Sequence, residues 1–152
     1  MLGRLVDRQE IADLLARYCA GLDEYDIDGA VDIFTVDCMT DYGPSRGGPT
    51  PGREALRTRL LASQSVFRRT HHQLGQIVVE LNGDNAQSIA YVTASHELWD
   101  GRRLVSRLQY RDHLVRLDEG WRIAVRQVIT TLVDGGEDME RNWLTRRPPN
   151  VG

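Results

Sequence analysis

The chain has 152 residues, of which 41% are hydrophobic and 27% charged, with a net charge of -3 and a pI near 5.8. That size suits one domain with a single buried core, and the composition is that of a globular protein rather than a disordered one. The weak acidity gives no electrostatic reason to expect nucleic acid or an anionic membrane, and no apolar run nears the ~20 residues that span a bilayer.

Every basic side chain other than histidine is arginine. The absence of lysine rules out Schiff-base chemistry and a Walker-type phosphate loop. The opening "MLGRLVDRQE" lacks the apolar segment of a secretion signal, so a cytoplasmic location is expected. Cys19 and Cys38 fall on regular elements and read as small buried side chains rather than as a disulfide or a nucleophile.

In chain order, residues 7–24 are predicted as a helix, with Ile11, Leu14, Leu15, Tyr18 and Leu22 at helical spacing. Asp7 and Glu10 resemble a capping box at its start. Ala30, Val31, Ile33 and Phe34 form the apolar content of a second, short helix. "CMTDYG" (38–43) reads as a short strand and "GPSRGGPTPG" (43–52) as a loop broken by proline and glycine. Residues 53–66 form a third helix with Leu56, Leu60 and Leu61 on one side. Four strands follow, at 72–82, 86–99, 103–117 and 121–133. They are separated by "NGDN", "DGR" and "DEG", which are tight hairpin signals and imply an antiparallel meander. Helices first and strands second predict an α+β domain over 1–134, with a polar tail at 135–152 that drapes over the body or frays. Helices packed on a strongly curved sheet leave a cone that can hold a pocket.

Polar residues facing into such a cone are informative, because burying them without partners is costly. Asp23 lies at the C-terminal end of the first helix, where the helix dipole disfavours an acid that has no partner. On 86–99, His96 shares a face with Ala90, Val92, Ala94 and Leu98, so it points inward, either as a core histidine or as a functional one. Leu108, Tyr110, Asp112 and Leu114 share a face of the next strand, with Tyr110 able to reach the pocket. In the last strand both faces are apolar, so pattern does not orient Arg126. Tyr18 and Tyr42 fit either core or site. Alternation lets only one of His71 and His72 face inward, and register through Gly75 leaves the choice open, since a glycine inside a strand often marks a bulge.

The succession "LLARYCAGLDEYDIDGAVDIF", "MTDYG", "GREALRTRL", "THHQLGQIVVELNGDNAQSIAYV" and "YRDHLVRLDEGWRIAVRQV" resembles the SnoaL-like branch of the NTF2-like superfamily over roughly residues 5 to 134. It is most similar to the scytalone dehydratase and hexachlorocyclohexane dehydrochlorinase group. The resemblance implies an NTF2-like cone, with N-terminal helices on a strongly curved mixed or antiparallel sheet. It further implies an Asp–His dyad, matched by Asp23 and by His72 in preference to His71. It assigns the dehydratase's second histidine to His96, its tyrosine to Tyr42 and the dehydrochlorinase's arginine to Arg126. Tyr110 stands near the dehydratase's asparagine. Among ketosteroid isomerase relatives Tyr18 and Asp112 find matches, but the general-base acid falls at Tyr42. The epoxide hydrolase Asp–Arg–Asp set cannot be assembled.

The function expected is a dehydratase-like lyase that abstracts a proton from a small cyclic, aromatic or polyketide-like substrate, with no metal or organic cofactor. The alternatives are a polyketide cyclase or isomerase, and a non-catalytic ligand carrier or oxygenase small subunit. A homo-oligomer, dimer or trimer, is expected through the outer sheet face, with Ile123, Val125 and Ile129 supplying apolar area.

Overall fold

The structure is a computed structural model and describes residues 1–136 and 138–148. Glu137 and the end of the predicted tail, 149–152, lie outside the described residues. Helix α1 runs from Leu2 to Asp23 and buries the stripe Ile11, Leu14, Leu15, Tyr18, Cys19 and Leu22, as the 3.6-residue period requires. It begins five residues before the predicted start, and the capping-box reading of Asp7 is corrected. Being inside the helix, the Asp7 carboxylate caps no backbone group. It accepts from Arg116 Nη1 and Nη2 at 2.6 and 2.9 Å and from Trp121 Nε1 at 3.1 Å. Those bonds tie the start of α1 to the far hairpin of the sheet.

A tight turn leads into α2 (Ile27–Val31), capped by Asp26, whose carboxylate accepts from the Gly29 N–H at 3.0 Å. The predicted second helix thus ends before Ile33, and Phe34 instead opens strand β1 (Phe34–Asp41). The turn is close enough to require glycine at position 21. A Cβ there would stand 3.0 Å from Ala30 Cβ, Ala30 N and Asp26 O. Gly21→Ala therefore gains about 1 kcal/mol of helix preference and loses about 1–3 kcal/mol to overpacking. Net destabilisation is expected in urea unfolding, and an unchanged or raised midpoint would show that the turn yields freely.

Strand β2 (Pro49–Pro51) and a 3-10 turn (Pro44–Arg46) lie within the predicted loop, and α3 spans Arg53–Ser65. The meander is β3 (Phe67–Asn82), β4 (Asn85–Leu98), β5 (Arg103–Leu117) and β6 (Gly120–Gly135). The six strands are ordered β2-β1-β6-β5-β4-β3. All neighbours are antiparallel except β1 and β6, which are parallel. The sheet is mixed, curved and open, with β3 as one edge. Register shifts between Leu74 and Ile77, around Gly75, and twice along the β5–β6 pair. Such bulges bend long strands.

One of these bulges decides a point that pattern left open. His113 pairs with Val125 but Leu114 pairs with Ile123, so Ala124 is the extra residue. Beyond it the alternation inverts, and Ile123 and Arg126 face the same interior, both almost fully buried. The expectation that Ile123 and Ile129 supply apolar surface is corrected, since both are buried. Of the three only Val125 is exposed, beside its β1 neighbour Met39.

The apolar core fills the space between the helices and the concave face, around Ile11, Leu15, Phe34, Leu56, Leu114, Trp121 and Ile123. The opposite end, beneath the last turn of α1, is hollow. Part of the tail closes against it. Asn142 O accepts from the Thr130 N–H at 2.7 Å and Leu144 N donates to Thr130 O at 2.9 Å, so 142–144 pair with β6 past the end of β1. Asn142 Nδ2 also donates to Asp41 Oδ1 at 3.1 Å.

Candidate active site

Asp23 is the last residue of α1, and β3 passes beneath it as an edge strand. His72 pairs with Ala94 on β4. Its N–H points away from β4, toward the helix end, while its ring turns into the cone. The Asp23 carboxylate collects both. Oδ2 and Oδ1 accept from the His72 N–H at 2.9 and 3.1 Å, Oδ1 lies 2.6 Å from His72 Nδ1, and Thr70 Oγ1 donates to Oδ1 at 2.8 Å. Partial burial raises the carboxyl's pKa, but the bonds from His72 and Thr70 outweigh it and hold the group below the usual carboxylate range. These donors also offset the unfavourable helix dipole. An ionised carboxylate accepts only, so Nδ1 carries the hydrogen, and in the neutral ring the lone pair is on Nε2. His71, one residue earlier, is exposed.

His72 lines a cavity that opens to solvent. Tyr18, Tyr42, His96 and Tyr110 share the wall, with Leu22, Ala94, Leu108 and Val128 as apolar lining. The His96 ring stands edge-on to His72, with centroids 5.6 Å apart, and lies 4.3 Å from the Phe67 ring. Its Nδ1 is buried without a well-formed hydrogen bond. Burial first, then the nearby His72 and Arg46, push its pKa down to about 4, with Asp23 and the Leu104 backbone opposing. His96 is therefore a neutral imidazole at pH 7.

A stability prediction follows from that shift. Between about pH 6.5 and pH 4 the unfolded chain binds a proton at His96 that the folded chain refuses, so stability falls as pH drops through that window and levels below it. The loss is at most about 3 kcal/mol. The depressed Asp23 adds a separate loss at lower pH still. Urea midpoints from pH 7.5 to 4 should fall for the native chain and flatten for His96→Phe. Parallel curves would remove His96 as the cause.

Tyr18 and Tyr42 hydroxyls meet at 2.5 Å. Tyr18 is fully buried, and burial, then the neighbouring Tyr42 and Tyr110, raise its pKa well above the ordinary phenol value. Either hydroxyl can be the donor of this bond; with Tyr18 donating, the Tyr42 hydroxyl hydrogen is free for the cavity. Tyr110 packs edge-on against Tyr18, with ring centroids 5.6 Å apart. Burial also pushes the Cys19 thiol up to about 11, which keeps it protonated.

The structure does not bring Arg126 to the wall. It sits behind Tyr18 and Tyr110, its guanidinium 4.5 and 4.1 Å from their ring centroids. Nε and Nη2 donate to the two oxygens of Asp112, both at 2.8 Å. Sequence reasoning missed Thr70, which alternation with His72 could have found. It also missed three arginines of the wall, Arg46, Arg59 and Arg141, which come from the 3-10 turn, α3 and the tail.

The model of the SnoaL-like domain family matches residues 3–127. The chain belongs to the SnoaL-like family. An uncharacterised protein from Mycobacterium tuberculosis is 31% identical over 134 residues, covering 85% of this chain and 88% of that protein. A crystal structure from Novosphingobium aromaticivorans, provisionally described as a scytalone dehydratase, superposes with a TM-score of 0.88 at 24% identity, covering 95% of this chain and 97% of that one. A hexachlorocyclohexane dehydrochlorinase gives 0.79 at 19% identity, with 99% of each chain covered. At these identities the two structures establish the fold, which is NTF2-like as the sequence resemblance implies, and leave chemistry to the residues present.

Proposed function

We propose that this SnoaL-like protein is a cofactor-independent lyase of the dehydratase type, acting on a small cyclic or aromatic substrate. One observation carries the reading: His72 Nδ1 is held 2.6 Å from a partly buried carboxylate while the same ring lines the cavity. Nε2 of a neutral imidazole is a base suited to pH 7. Asp23 fixes the tautomer and stabilises the imidazolium that forms. His72 takes the proton from carbon, and the electron pair left behind forms the new double bond as the adjacent C–O bond breaks. The departing hydroxyl takes a proton from Tyr42 and leaves as water, and the proton held by His72 returns to Tyr42 through solvent in the cavity, so that the site regains its starting state. His96, neutral, donates a hydrogen bond rather than a full proton.

A pure ligand carrier would have little use for a carboxylate desolvated beneath an imidazole. The test is proton exchange at carbon. Cyclic β-hydroxy ketones incubated in D2O with the native protein should gain deuterium or lose water faster than with His72→Ala. Equal rates across such a panel would end the proposal.

A further inference from the structure

Arg46, Arg59 and Arg141 converge on the cavity wall from three separate segments. Among the described residues none of the three guanidinium groups makes a hydrogen bond or ion pair, although the charge of Asp138 is felt at Arg141. Elsewhere Arg57, Arg103, Arg107, Arg116 and Arg126 each have a carboxylate, and Arg8, Arg53 and Arg122 each donate to a backbone carbonyl. Three cations gathered without a carboxylate in contact repel one another. Arg46 is held below its ordinary value by burial first and then by Arg59 and Arg141.

Arg59 is the most specific of the three. Its guanidinium lies over the Tyr42 ring, 4.0 Å from the centroid, which uses the flat face of the group. The Nε and Nη2 edge is left bare, and both atoms are buried with no partner. Orphaned buried donors of a charged group are costly and uncommon. The same Nε–Nη2 edge of Arg126 grips both oxygens of Asp112. One arginine of this chain therefore has its carboxylate, and another, on the cavity wall, holds the identical fork with none.

We infer that the cavity takes a ligand bearing a carboxylate, with its two oxygens on Nε and Nη2 of Arg59 and with Arg46 and Arg141 supplying the surrounding positive field. The acid anchors at the Tyr42 side of the wall, and the ring that carries it extends toward His72. The fork is closed to water, so entry requires the side chains that cover it to move. The inference rests on the proposed function only in naming the substrate class of the same cavity, and it predicts binding with or without turnover.

The test is an NMR titration of the full chain with benzoate and 2-naphthoate, against their neutral amides, benzamide and 2-naphthamide. At least one acid should bind about ten-fold or more tightly than its amide, the scale of a charged hydrogen-bonded pair. Arg59→Met should erase that preference. Arg59→Lys, which keeps the charge and removes the fork, should reduce it while guarding against loss through misfolding. Arg107→Met, on the exposed Arg107–Asp134 pair, should leave it intact. His72→Ala should also keep the preference, so failure of the proton chemistry and failure of acid anchoring are read separately. Amides binding as well as acids, no acid binding at millimolar concentration, or a preference that survives Arg59→Met would overturn the inference.

Discussion

Arg126→Met should destabilise the protein by about 3–5 kcal/mol, because it leaves Asp112 charged and buried without its partner. Both side chains are wholly buried and the contact is bidentate. Desolvation works against the arginine's charge, and Asp112 more than compensates, holding the guanidinium well above its ordinary value. Three aromatic rings enclose it, those of Tyr18, Tyr110 and Phe34, with Phe34 5.1 Å away. The paired change Arg126→Met with Asp112→Leu removes both charges at similar volume and should recover most of the loss. Urea unfolding of the two variants decides the matter. If the double variant falls as far as the single one, lost packing rather than a stranded carboxylate is the cause.

The second large effect is on turnover. With a substrate in hand, His72→Ala should lower the rate by about 10²–10⁴, the range of a lost general base. Asp23→Asn should approach the same figure while the ring stays in place, since the amide oxygen can still accept from Nδ1–H but cannot stabilise an imidazolium. Residues that act as one unit are not additive, so the double variant should be little slower than His72→Ala alone. Circular dichroism should report a native fold for each. A fully active Asp23→Asn protein would leave the short contact at Oδ1 a structural one and return His72 to the core.

How far the sequence speaks depends on the scale of the signal. The stripe on α1 is local and strong, so Asp23 could be placed at a helix end that needs a partner. Alternation along β4 placed His96 on the face of Ala90, Val92 and Ala94, and these are inward or at the cavity. Where a bulge intervenes, local periodicity fails. Arg126 was unreadable because the extra residue at Ala124 inverts the strand's faces. The start of α1 was missed for another reason: Leu2, Leu5 and Val6 are exposed and follow no buried stripe. The choice between His71 and His72 rested on the family resemblance, since only tertiary contact with Asp23 distinguishes them. The three arginines were the least legible, because a loop, a helix and a tail meet there through the packing of the whole chain. The parallel pairing of β1 with β6 was likewise a non-local event that no hairpin signal announces.

The strap at residues 142–144 has an evolutionary corollary. It grips β6 by a pair of main-chain bonds at Thr130 and carries Arg141 to the rim, while contributing nothing to the central core cluster. Descendants of this scaffold can therefore rewrite what the entrance admits by editing a short terminal stretch. The acid and imidazole, and the apolar core that supports them, would be inherited untouched.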